Sequence, residues 1–214
     1  MNADSPRSSR REGALLLADI SGYTRFLQGV ADAHRDLIVE ADEPPAAYAV
    51  LSHLLDTMVV AIAPSFRLAK FEGDAIFAIS GNGAADGQAV IDVVERCHAA
   101  FRGELSRAGS QWICSCAACA VVGELDVKFV VHHGAYVAQS IAGNEEFLGP
   151  DVNLAHRLLK NHARELVGTV PYALFTEAAV QALAVPTDRM VAGQEAYDDR
   201  PPVGVHVLPL AAAA

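Results

Sequence analysis

The run Ala14-Leu-Leu-Leu-Ala-Asp-Ile20 constrains this chain more than any other segment. A short apolar stretch with no polar alternation reads as a buried strand, so its one acid, Asp19, belongs at the strand's end. A second acid sits in a comparable place. Phe66–Phe71 and Ala75–Ser80 are short apolar strands around Glu72-Gly73-Asp74, the signature of a hairpin with glycine in its turn. If the two strands lie side by side, Asp19 and Asp74 meet at one edge of a sheet. Carboxylates that close repel unless a cation lies between them. Hard oxygen ligands suit Mg²⁺ or Mn²⁺, and two such ions can clamp the attacking and leaving oxygens of a phosphoryl transfer. Taken singly, each acid also has a plain structural role, Asp19 capping the following helix and Asp74 filling the turn.

The remaining pattern supplies layers for that sheet. Thr24–Val39 has helical spacing, Asp42-Glu-Pro-Pro45 is a breaker, and Ala46–Ile62 is a second helix. Ala84–Leu105 is a long amphipathic helix. Val127–Val137 is β-branched and reads as a strand, Val152–Ala163 as a helix, Gly168–Ala184 as a strand followed by a helix, and Val203–Leu208 as a terminal strand. The order matches a split βαβ, ferredoxin-like α+β sandwich, with helices on one face of a mostly antiparallel sheet. Residues 1–12 read as a loose, flexible N-terminal arm. Residues 13–210 read as a single domain, with a cysteine-containing loop at 109–125.

Composition narrows the function. A chain of 214 residues, 52% hydrophobic and 20% charged, is globular and large enough for one sizeable core. Its formal net charge of −10 argues against nucleic acid as the main partner but leaves room for a mononucleotide. No run is apolar enough to span a membrane, and the polar start lacks a secretory signal, so a cytoplasmic location is expected.

Four segments in order resemble the motifs of class III adenylate and guanylate cyclases. These are Leu17-Ala-Asp19-Ile-Ser-Gly-Tyr-Thr24, Lys70-Phe-Glu-Gly-Asp74, Val131-His-His-Gly134 and Gly149-Pro-Asp-Val-Asn153-Leu-Ala-His-Arg157-Leu. Asp19-Ile-Ser-Gly-Tyr-Thr-Arg-Phe, Glu72-Gly-Asp-Ala75, the Cys-x-Cys-x-x-Cys loop and His156-Arg-Leu-Leu-Lys-Asn161 resemble, more closely, the uncharacterised cyclase-like family DUF2652.

The cyclase resemblance implies a set of roles. Asp19, Asp74 and the Ile20 carbonyl would bind two Mg²⁺ or Mn²⁺ ions. A ribose 3′-oxygen would attack the α-phosphorus of a nucleoside triphosphate, releasing pyrophosphate. Asn153 would orient the ribose and Arg157 would stabilise α-phosphate charge; their spacing puts them on one helix face. Lys70 matches the base-selecting lysine, and its partner position falls on Glu146. A carboxylate there accepts a hydrogen bond from an exocyclic amine, which favours ATP and leaves a pyrimidine open. The resemblance also implies a homodimer with shared sites. The metal acids would come from one chain, and Lys70, Asn153 and Arg157 from the other.

Two departures stand out. Family members carry a late phosphate-binding lysine, whose position falls near Tyr197. The lysines here are Lys70, Lys128 and Lys160, which leaves Arg200 as the substitute. The second is Cys114-Ser-Cys116-Ala-Ala-Cys119. Three thiols at this spacing can hold a structural Zn²⁺ with one more ligand, such as Cys97 or His98, or can be incidental in a small-residue loop that Trp112 closes. His132 and His133 should face opposite sides of their strand. Three readings follow: a nucleotidyl cyclase, a cyclase-like nucleotide-binding or regulatory module without turnover, and, last, a diguanylate-cyclase-type enzyme, for which Glu72-Gly-Asp74 is a poor hairpin.

Overall fold

The computed structural model describes residues 8–36, 45–63, 65–80, 86–111, 114, 116–168 and 171–210. Residues 1–7, most of the Asp42–Pro45 breaker, Trp112 and the alanine tail lie outside them. One sheet organises the chain, in the order β2-β3-β1-β4-β6-β8-β7 with β5 paired to β4. Its strands are β1 (Ser8–Ser21), β2 (Phe66–Glu72), β3 (Ala75–Ser80), β4 (Asp126–Ile141), β5 (Asn144–Leu148), β6 (Tyr172–Thr176), β7 (Val191–Tyr197) and β8 (Arg200–Pro209). Among the described strands only β4 and β6 pair in parallel.

The expected strand after Gly13 reaches back to Ser8. Residues Ser8–Glu12 pair with Ala135–Gln139 of β4, so the second half of the proposed arm is a strand.

Ala14 to Ala18 is buried without alternation because both faces of the sheet are covered. Ala14, Leu16, Ala18 and Ile20 point into one core. It is built with helices α1 (Tyr23–Ala33), α2 (Ala46–Ile62), α3 (Gly87–Gln111) and α7 (Glu177–Leu183). Leu15 and Leu17 point the other way, onto β5 and helix α5 (Pro150–Arg157), with Ala163 of α6 (Ala163–Val167) nearby. Helices therefore lie on both faces, not one. The apolar stripe Val90, Val94, Cys97, Phe101 and Leu105 seats α3 on the first core at helical spacing.

The helix expected over Val152–Ala163 is two. Asn161 separates them: its amide donates to the Leu158 carbonyl at 2.6 Å, and its oxygen accepts from Ala163 N and Tyr172 Oη, each at 2.9 Å. The following His162 donates its backbone N–H to Glu195 at 2.8 Å and faces the same carboxylate through Nδ1 at 3.0 Å. Glu195 is only 1% exposed, and it hides β7 from a pattern reading by placing an acid in the middle of a strand.

The Val131-His-His-Gly134 segment lies in β4 with His132 buried and His133 half-buried, on opposite faces. Gly134 makes room for α5. A Cβ there would stand 2.4 Å from Asp151 Cγ, while Asp151 Oδ2 accepts the Ala135 N–H at 2.8 Å. Gly134→Ala should force Asp151 off that bond and lower unfolding stability by about 1–3 kcal/mol in urea titration.

A second outcome concerns pH. The hydrogen bond and charge of Glu195 raise the His162 pKa. This stabilisation is full below the unfolded value of about 6.5 and is lost as pH rises through the higher folded value. Thermal melts should show wild type losing stability across that window while His162→Asn stays flat; parallel curves would exclude the pair as a pH-linked tie.

Candidate active site

Asp19 follows Leu15 and Leu17 on the α5 side of β1, and its register partner across the pair is Lys128 of β4. Lys128 Nζ lies 2.9 Å from Asp19 Oδ2 and donates to the Leu159 carbonyl at 3.0 Å, just past the end of α5. Ala75, the first residue of β3, pairs with Asp19, and Ile20 N donates to the Asp74 carbonyl at 3.3 Å. The hairpin turn thus sits against the end of β1. Gly22, at φ +89°, turns the chain from β1 into α1 directly after this site.

The electrostatics match the geometry. Burial raises the Asp74 pKa, the nearby Asp19 charge adds to it, and Lys128 opposes it. Asp74 has no ion-pair partner among the described residues. Two carboxylates, with one ammonium paired to Asp19, leave a site short of positive charge. An all-oxygen donor set of this kind fits Mg²⁺ or Mn²⁺.

A second cluster forms where β5 leans on β2. Lys70 Nζ lies 3.0 Å from Glu146 and 3.6 Å from Glu72. These contacts raise the Lys70 pKa, the Glu146 hydrogen bond most of all, so the ammonium form persists at neutral pH. Glu72 also faces His156 Nε2 of α5 at 2.8 Å. The structure thus brings Lys70 and Glu146 together. Arg67 holds the neighbouring Glu145 at 2.8 Å.

The third cluster forms on the exposed side of α5, where Arg157 ends the helix. Asn153 and Arg157 are both exposed. Arg157 Nη1 meets both oxygens of Asp199, at 2.7 and 2.8 Å, and its guanidinium lies 4.7 Å from the centre of the Tyr197 ring. The region expected to supply a late lysine therefore supplies an aromatic ring and a carboxylate, and both engage Arg157. Arg200 opens β8; its Nε is buried without a partner among the described residues.

Lys128 and Asp199 were not legible as site residues. Lys128 sits inside an apolar strand, and only the β1–β4 register brings it to Asp19. At the cysteine loop, Cys114, Cys116 and Cys119 converge on His34 instead of the expected partners. Cys97 is fully buried in the first core, 3.8 Å from the Met58 carbonyl, and His98 is held 3.2 Å from Asp126.

With this geometry in view, the fold is that of class III adenylyl and guanylyl cyclase catalytic domains. The adenylyl cyclase CyaB from P. aeruginosa superposes with a TM-score of 0.65 at 17% identity, over 94% of this chain and 95% of that one. A class III adenylyl cyclase-like ATP-binding protein from Pseudomonas aeruginosa gives 0.58 at 18% identity, over 82% of this chain and 35% of that one. The chain belongs to the family DUF2652, described as a protein of unknown function, whose model matches residues 51–165. An uncharacterized protein of Mycobacterium tuberculosis is 33% identical over 135 residues, 62% of this chain, and the match spans 60% of that relative's length. The family match includes Lys70, Asp74, the cysteines, Lys128, Asn153 and Arg157, while Asp19 and His34 lie upstream of it. No helix among the described residues is long and apolar enough to cross a membrane.

Replacing Lys128 by Met should leave Asp19 and Asp74 unbalanced. The expected result is a loss of about 1–3 kcal/mol in metal-free unfolding, partly restored by millimolar Mn²⁺. Equal losses with and without Mn²⁺ would show that the lysine acts only as packing.

Proposed function

We propose that this chain is a metal-dependent nucleotidyl cyclase that converts a nucleoside triphosphate, ATP by preference, into a 3′,5′-cyclic nucleotide and pyrophosphate. The observation that carries this reading is the meeting of Asp19 and Asp74 at adjacent strand ends, with Lys128 as the one local counter-charge among the described residues.

Asp19, Asp74 and the Ile20 carbonyl would hold two Mg²⁺ or Mn²⁺ ions. When bound, such ions neutralise triphosphate charge and make the ribose 3′-hydroxyl more acidic. Lys70 donates to a ring nitrogen of the base while Glu146 accepts from its exocyclic amine, a pairing that suits adenine. Asn153 orients the ribose. Arg157 offers a planar fork to the α-phosphate as the 3′-oxygen bonds to phosphorus and pyrophosphate departs. Lys128 adds an ammonium beside the metal acids, where phosphate oxygens would lie. A homodimer completes each site, with Asp19 and Asp74 from one copy and Lys70, Asn153 and Arg157 from its partner. Free thiols at all four cysteines suit a cytoplasmic setting.

One observation favours a second reading, a cyclase-like nucleotide-binding module without turnover. Arg157 is already engaged by Asp199 and Tyr197, where a phosphate-binding lysine is expected. Relief of that contact is required before Arg157 can serve a phosphate.

Incubation with ATP, GTP, CTP and UTP, each with Mn²⁺ and with Mg²⁺, should yield a cyclic product by mass spectrometry. Asp19→Ala and Asp74→Ala should abolish it, a loss of at least about 10²-fold. Metal-dependent nucleotide binding by a folded dimer that gives no product from any of the four would move the assignment to the binding module.

A further inference from the structure

The cysteine loop and the end of α1 form a cluster that the cyclase chemistry does not use. After α4 (Ala117–Ala120) a short 3₁₀ turn, Val121–Glu124, leads into β4. Cys114 and Cys116 precede α4, and Cys119 lies within it. His34 arrives from far upstream as the residue that ends α1, its backbone N–H bonded to the Val30 carbonyl.

Three sulfurs surround one ring nitrogen. Cys114 Sγ, Cys116 Sγ and Cys119 Sγ lie 3.5, 3.3 and 3.4 Å from His34 Nε2. An imidazole nitrogen has either one proton or one lone pair, so it can make one such hydrogen bond and not three. All four ligand atoms lie within 4.8 Å of one another. The cysteines are free thiols, so no disulfide explains the convergence.

A cation at the centre does explain it. Zinc bound tetrahedrally, with Zn–S of about 2.3 Å and Zn–N of about 2.0–2.1 Å, requires an S···N edge of about 3.6 Å. The three observed separations lie close to that edge. Cys116 Sγ also accepts the Cys119 backbone N–H at 3.3 Å, as a sulfur with spare lone pairs does. Cys119 is buried and the other three ligands are half-buried, so the centre is enclosed by protein.

We infer that His34, Cys114, Cys116 and Cys119 form a closed, four-coordinate structural zinc site. Soft sulfur and imidazole donors select zinc, while the all-oxygen Asp19 and Asp74 set selects Mg²⁺ or Mn²⁺, so the two centres take different metals. With four protein ligands the site has no open position for substrate or water, and its role is mechanical. It ties α1, which leaves β1 just after Asp19, to the segment that enters β4 just before Lys128. The packing agrees: a Cβ on Gly29 of α1 would lie 3.4 Å from Ala118 Cβ. The zinc site stands whether or not the chain is a cyclase.

The full chain, expressed with zinc and purified under reducing conditions without chelator, should retain about one zinc per chain by elemental mass spectrometry. Co²⁺ substitution should give the intense visible bands of tetrahedral thiolate coordination. His34→Ala should lose most of the bound metal. His34→Cys should keep about one zinc and shift the Co²⁺ spectrum towards four-thiolate coordination, which covers the case in which His34→Ala does not fold. Zinc near zero in folded wild type, an intramolecular disulfide in intact mass, or a Co²⁺ spectrum unchanged in His34→Cys would each overturn the assignment.

Discussion

The covering of the central β1–β4 pair on both faces governs the rest of the molecule. A strand buried on both sides has no solvent-facing row, so every residue from Ala14 to Ala18 is fully buried and apolar. Polar chemistry is driven to the strand's end. There Asp19 finds Lys128 across the ladder and Asp74 from the adjacent hairpin. The ion pair is partly buried and anchored on a third point, the Leu159 carbonyl. The sheet, the hairpin and the end of α5 are thereby registered on one small set of charges.

α5 is positioned with similar economy. Asp151 reaches into the space left by Gly134 and takes a backbone N–H of β4. His156 meets Glu72, which also faces Lys70. Helix α5 is thus fixed to β4 near its start and to the β2 cluster near its end, leaving Asn153 and Arg157 exposed. Burial favours rigid placement of the helix, while its exposed side carries Arg157 to Asp199 and Tyr197.

How far the sequence foretold this depended on the range of each interaction. Asp19 and Asp74 were legible because local pattern defines strand ends and a glycine turn. Lys70 and Glu146 were paired only through a family resemblance, since β5 had no clear signature in Asn144–Leu148. Helices on both faces were foreshadowed by the lack of alternation in Ala14–Ile20, which a one-faced sandwich does not explain. β7 was hidden by buried Glu195, whose partner His162 lies in a distant turn. His34 was the hardest to find, since a lone histidine at a helix end carries no local signal. The cysteines offered nearer partners in Cys97 and His98, but the α3 stripe turns Cys97 into the core, and Asp126 holds His98.

Arg157 joins these threads. A guanidinium whose Nη1 meets both oxygens of one carboxylate, and which lies over a ring, is held near one orientation. Because Asp199 and Arg157 are both substantially exposed, screening keeps that pair weak, so it is a reversible restraint. A triphosphate with metal ions carries more charge than one aspartate and can compete for the same fork. The missing late lysine then has a physical meaning. In its place the β7–β8 turn supplies an anion that holds Arg157, and on the proposed function a nucleotide would have to displace Asp199 to reach it. On that reading, the cost of the displacement would separate a slow cyclase from a binding module with the same fold.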